Sequence, residues 1–137
     1  MARRGRTRAA TSDSARVRYR SAQAFLEVAD LVLDEKDRVE MPGVAAGLAV
    51  LAGIAGSDAI CARRLGAIHR GEDHRGAAAL LEEATPDGKK LANTFLRLID
   101  VKDEAHYGLL LVAPRKARDA VRWARQLVDR AGEELER

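Results

Sequence analysis

The stretch from Met41 to Ser57, MPGVAAGLAVLAGIAGS, carries no charged side chain and is built largely of alanine and glycine. Such a run must leave water, so it is either a buried core helix or a membrane span. It is short for a comfortable span and poor in Leu and Phe, and Asp58, Arg63 and Arg64 follow closely. A helix from about Pro42 to His69 at the centre of a soluble fold is the expectation, with proline tolerated in its first turn. Gly47, Gly53 and Gly56 lie where neighbouring elements can come close, at some cost in helix propensity.

The remaining chain supports helices around this core. In the first segment, from about Ser14 or Ser21 to Asp37, two rows lie side by side and make one apolar face. Phe25, Val28 and Val32 form one row, and Leu26, Ala29 and Leu33 form the other. The segment DEKDRVEMPG then breaks the pattern with charge, proline and glycine. HRGEDHRG, residues 69–76, is a glycine turn in which Asp73 can cap a third helix. A fourth helix should start at Thr85-Pro86-Asp87 and run to Gly108, placing Leu91, Phe95, Leu98 and Lys102 on one stripe. A fifth begins near Pro114 and sends Ala117, Val121, Ala124, Leu127 and Val128 inward. GLLLVA is short and apolar, but no segment alternates as a half-buried strand does. The expected fold is therefore all-α, an antiparallel up-and-down bundle of about five helices. The length of 137 residues fits one domain, residues 21–137, preceded by a basic arm, residues 1–20.

Charge separates these two parts. Residues 1–20 hold seven arginines against one acid, Asp13, whereas the whole chain is only +3. Arg3, Arg4, Arg6 and Arg8 could touch phosphates through counterion release, and the arm's composition is that of a disordered tail. No apolar stretch follows the arginines as it would in a secretory signal. The single cysteine, Cys61, cannot form an internal disulfide, which fits a reducing cytoplasm. No Cys/His spacing of the zinc type occurs, and His69 with His74 around Gly71 has no defined metal geometry. No cofactor is expected.

The chemistry-bearing residues gather at VKDEAHYG, residues 101–108. At helical spacing Lys102 pairs with His106 and Asp103 with Tyr107, putting a cation, an imidazole, an acid and a phenol on adjoining faces. An imidazole can move a proton and a lysine can hold a phosphate, as RNA cleavage requires. The same residues can also serve only as hydrogen-bonding groups at a helix end. Asp58 lies among Ile54, Cys61, Ala62 and Leu65, so its carboxylate faces inward and needs a partner, for which Lys102 or a histidine is expected.

The succession ARRLGAIHRGEDHRGAAALL, LRLIDVKDEAHYG and APRKARDAVRWARQLV resembles the HEPN superfamily (higher eukaryotes and prokaryotes nucleotide-binding domains) over roughly residues 44–132. The likeness is greatest to members found beside minimal nucleotidyltransferases. His74 stands where such members have a histidine at the turn. Lys102, Ala105, His106 and Tyr107-Gly108 stand along their Arg-x-x-Ala-Asp-Tyr-Gly-like segment. The resemblance implies a helical bundle, a homodimer or a nucleotidyltransferase-type partner, and association with nucleotide or RNA, sometimes within toxin–antitoxin pairs. On it, Tyr107, Asp103, Asp58 and His74 become candidate ligand-binding residues. Lys102 and His106 become candidates for catalysis in a metal-independent ribonuclease. Nucleolytic members use an Arg-x4–6-His motif. Here lysine replaces the arginine, three residues separate it from His106, and Arg97 lies too far upstream, with eight residues between it and His106. A binding module is therefore the leading expectation, with a ribonuclease and a purely structural interaction bundle as alternatives.

Overall fold

A computed structural model describes residues 6–136 and has the architecture of an all-α bundle. Helix α1 spans Ser12–Leu33, α2 Met41–Leu65, α3 His74–Ala84, α4 Gly88–Ile99, α5 Lys102–Tyr107 and α6 Pro114–Leu135. A two-stranded antiparallel ribbon joins β1, Thr7–Ala9, to β2, Ala67–His69. Helix α2 is the central element, packed by α1 and α6, while α3 and α4 pack on each other and α4 on α6.

Much of the uncharged run is buried. Ala45, Ala46, Ala49, Val50, Ala52, Ala55, Ala59 and Ile60 are all sealed from solvent. Although α2 is long and apolar enough to cross a membrane, 72% of its most apolar window lies inside the fold. Its small residues let neighbours come close. Gly53 faces the side chains of Leu98 and Leu127, and Gly56 lies against the α6 backbone at Leu127. The helix stops at Gly66, whose φ of 64° is left-handed and whose N–H donates to the Ala62 carbonyl. Only glycine takes that conformation without strain, so α2 ends four residues short of the expected His69 and the chain leaves as β2.

Local signals explain most other boundaries. The Thr11 hydroxyl accepts the Ser14 N–H at 3.1 Å and starts α1, so residues 12–20 are helical and the expected disordered arm shortens. Its middle, Thr7–Ala9, is a strand rather than a tail. Along α1, Ala15, Ala22, Leu26 and Ala29 are buried, and Val28, expected in the core, is turned outward at 45% exposure. Asp73 accepts from the Arg75 N–H at 3.1 Å and caps α3. Helix α6 begins at Pro114 and buries Ala117, Val121, Ala124, Leu127 and Val128, all of the inward positions expected.

The expected fourth helix is two. Helix α4 begins at Gly88, three residues beyond the Thr85 cap position, and ends at Ile99. Asp100 and Val101 turn the chain, with the Val101 N–H donating to the Leu98 carbonyl at 3.1 Å. Val101 drops into the core at 5% exposure, and α5 restarts at Lys102. Lys102 opens the second helix, and its Nζ meets His74, whose ring packs on Phe95 of the Leu91–Phe95–Leu98 stripe.

Candidate functional site

A polar seam crosses α1, α2, β2, α3 and α5. It begins at Arg18, whose Nε and Nη2 both lie 3.0 Å from Asp58 Oδ2. Arg18 sits on the buried stripe of α1, between Ala15 and Ala22, so its guanidinium is directed at α2 rather than into solvent. This corrects the expected partner of Asp58: arginine meets the carboxylate, not Lys102 or a histidine. Burial still raises the Asp58 pKa above the ordinary carboxylate value, against the opposing charges of Arg18, His69 and Arg8.

His69, the last residue of β2, comes next along the seam. Both of its ring nitrogens are buried, and neither has a hydrogen-bond partner among the described residues. Its ring is within electrostatic reach of Asp58 and of His74. His74, the first residue of α3, stacks at a tilt on buried Phe95, with ring centroids 6.4 Å apart. Its Nε2 lies 3.2 Å from Lys102 Nζ.

Burial and then the Lys102 charge push the His74 pKa below its ordinary 6.5, so the ring is neutral at neutral pH. With the ammonium as donor, Nε2 must be the acceptor and Nδ1 must carry the proton. The Lys102 charge consequently faces an uncharged ring, and no carboxylate among the described residues forms an ion pair with it.

The remaining candidates go elsewhere. His106 is exposed and lies over Gly47, where an added Cβ would meet its Nε2 at 3.0 Å. Lys102 and His106, on one short helix, thus address different neighbours. Tyr107 is 74% exposed, its ring edge-on to His106 at 6.0 Å, and Asp103 is exposed. Glu104 bonds Lys116 at 2.9 Å. His106 lines an open groove of about 550 Å³ with Val44, Gly47, Leu51 and Leu110. Beside it Leu109, Leu110 and Leu111 stand 101%, 83% and 65% exposed.

Of the arm, Arg3 and Arg4 lie outside the described residues, and Arg6 and Arg8 are exposed at β1. The Arg6 carbonyl accepts the Arg70 N–H at 2.9 Å, which fixes the start of the ribbon beside the 69–76 turn.

Residue spacing drew attention to Asp58, His74 and Lys102; the fold brings His74 to Lys102, and Asp58 to Arg18 instead. It also adds Arg18 and His69. Arg18 could have been found from its place three residues after Ala15 and four before Ala22, once the helix start at Ser12 is recognised. His69 carries no comparable signal, because its burial depends on pairing with a strand 60 residues away. Comparison with known protein families and with curated proteins gives no match to this chain.

Proposed function

We propose that this chain is a HEPN-like helical module that binds a nucleotide or nucleic acid through its phosphate groups, at the seam formed by Lys102, His74 and Arg18. One observation carries the reading. The Lys102 ammonium is held 3.2 Å from a neutral imidazole with no carboxylate among the described residues paired to it, which leaves a fixed positive charge open to an anion. His74 begins an 11-residue helix, whose positive N-terminal end adds to the attraction. Arg6 and Arg8, exposed on the adjacent ribbon, extend the basic surface along which a polynucleotide backbone would run.

Lys102 and His106 have different neighbours, so no joint cleavage chemistry is assigned to them. The exposed leucines at 109–111, with Val44 and Leu51, support a second feature of the reading, association with another copy of the chain. Contiguous apolar surface of this kind is uncommon on a monomer. Leu110→Asp should convert such a dimer to monomer in sedimentation equilibrium, and a wild-type chain that sediments as a monomer would end that part of the reading.

The binding claim is tested by fluorescence anisotropy with a labelled RNA decamer and with labelled AMP at two salt concentrations. Lys102→Ala should weaken both ligands about tenfold and lower the RNA salt slope by about one. Absence of binding by the wild type, or affinity unchanged by Lys102→Ala, would refute it.

A further inference from the structure

Helix α4, GKKLANTFLRLI, carries three cations, Lys89, Lys90 and Arg97, and no acidic residue. An open cleft of about 650 Å³ is lined by those three side chains and Asn93, with Gln126 contributed by α6. All five residues are exposed. Lys90, Asn93 and Arg97 follow at spacings of three and four, so they share one face of the helix. Lys90 and Arg97 are two turns apart, about 10 Å along the axis. On the neighbouring α6, Arg122, Arg125 and Arg130 are each met by an acid: Asp119, Asp30 and Asp87. Among the described residues no ion pair engages any of the three α4 cations.

The one acid that lines the cleft, Asp87, is already engaged. Arg130, which does not line it, reaches both carboxylate oxygens, Nε to Oδ2 at 3.0 Å and Nη2 to Oδ1 at 3.1 Å. Asp87 is therefore no counter-ion for the lysines. The Thr94 hydroxyl is likewise used, donating to the Lys90 carbonyl at 3.2 Å. Three fixed charges and the amides of Asn93 and Gln126 remain, and no aromatic ring is in the lining. Cations and amides are the groups that proteins direct at phosphate oxygens. Without a ring there is no platform on which a base would stack.

We propose that the α4–α6 cleft is a second anion-binding surface, sharing no residue with the Lys102–His74 contact, and that it takes the phosphodiester backbone of a nucleic-acid strand. Lys90 and Arg97 each meet a phosphate, Lys89 adds to the attraction, and the Asn93 and Gln126 amides donate to phosphate oxygens. Cations two turns apart suit the repeated phosphates of a strand, whereas AMP has a single phosphate. The backbone is gripped without reading base or sugar.

The chain has only three side-chain amides, Gln23, Asn93 and Gln126, so their signals in a ¹H–¹⁵N spectrum are easily separated. Gln23, on α1, is the internal reference. The ¹⁵N-labelled full chain is titrated separately with an RNA decamer, a single-stranded DNA decamer of matching base order, AMP and a decamer of glutamate. Asn93 and Gln126 should shift saturably with both nucleic acids, at equal affinity, and stay fixed with AMP and with the peptide. In anisotropy, the triple variant Lys89→Gln/Lys90→Gln/Arg97→Gln should weaken the RNA decamer at least tenfold. It should also lower the RNA salt slope by about two and leave AMP affinity unchanged.

Asn93 and Gln126 signals that stay fixed while the RNA decamer saturates the protein would overturn the cleft and leave the Lys102 reading standing. Equal shifts with the glutamate decamer, or a tenfold preference for one nucleic acid, would overturn the assignment to backbone phosphates. Shifts of both amides with RNA affinity unchanged by Lys102→Ala would uphold the cleft and remove the Lys102 reading. No RNA binding by the wild type would refute both. The wild-type amide signals decide the matter, so it does not depend on how the triple variant folds.

Discussion

Two polar clusters in this molecule handle buried charge in opposite ways. At the α2–α6 contact, Glu134 is 1% exposed and is met from two directions. Arg64 Nε lies 3.0 Å from its Oε2 and Arg130 Nη1 lies 2.5 Å from its Oε1. Arg130 also reaches Asp87 through Nε and Nη2, at 3.0 and 3.1 Å. Each acid there has an arginine supplied by the chain itself. Along the Arg18–Asp58–His69–His74–Lys102 seam, one carboxylate is matched while an imidazole and an ammonium are left over. The first cluster joins helices through ion pairs; in the second, the Lys102 ammonium has no paired carboxylate among the described residues. Titration follows the same division, since Arg130 holds Asp87 down to about 2 whereas burial raises Asp58.

The largest effect that would break this contrast is at Glu134. Glu134→Ala strands two arginines, and because Arg64 and Arg130 retain some solvent contact the cost should be about 3 kcal/mol, read from the urea midpoint. A loss comparable to an ordinary surface change would mean that the cluster does not join the helices.

Next is Arg18→Ala, which leaves Asp58 buried without its cation and should cost about 2 kcal/mol. Lys102→Ala in the same denaturation assay should cost less than about 1 kcal/mol while reducing phosphate-ligand affinity. Equal destabilisation by the two would make the whole seam structural.

The acid limb gives a third, smaller difference. Asp87 has its folded pKa depressed from 3.8 to about 2, so its contribution is present above the ordinary value and is lost as pH falls through that window. Asp87→Asn should flatten the wild-type fall in melting temperature between about pH 4 and pH 2. Asp58, with its pKa raised, has the opposite sign: the folded state takes up its proton first, and its contribution declines as pH rises through the folded value.

The smallest effect expected is at Gly47→Ala. The new methyl presses on the far edge of an exposed His106 ring, so stability should change by less than about 1 kcal/mol. The His106 ring signals should nevertheless move in an NMR spectrum; unchanged signals would mean that the ring does not rest on Gly47.

Much of the scaffold was legible in the sequence because its signals are local. The uncharged 41–57 run, the Asp73 cap, Pro114 and the α6 stripe each act within a few residues. The division between α4 and α5 was not, because no proline or glycine marks the turn at Asp100–Val101. Periodicity found that Asp58 faces inward but could not name Arg18, which lies 40 residues earlier. The ribbon was invisible for a similar reason: Thr7–Ala9 has no alternating apolar face, and its pairing with Ala67–His69 is set by where α1 begins and α2 ends.

Helix α5 is only six residues long and none of them is buried, yet it carries Lys102 toward the seam and His106 over the groove. It sets one side chain against each surface. A tilt that tightened the Lys102–His74 contact would alter the His106 edge of the groove in the same movement. By thermodynamic linkage, any affinity change that a groove occupant imposes on the seam must be returned, by the same factor, from the seam to the groove.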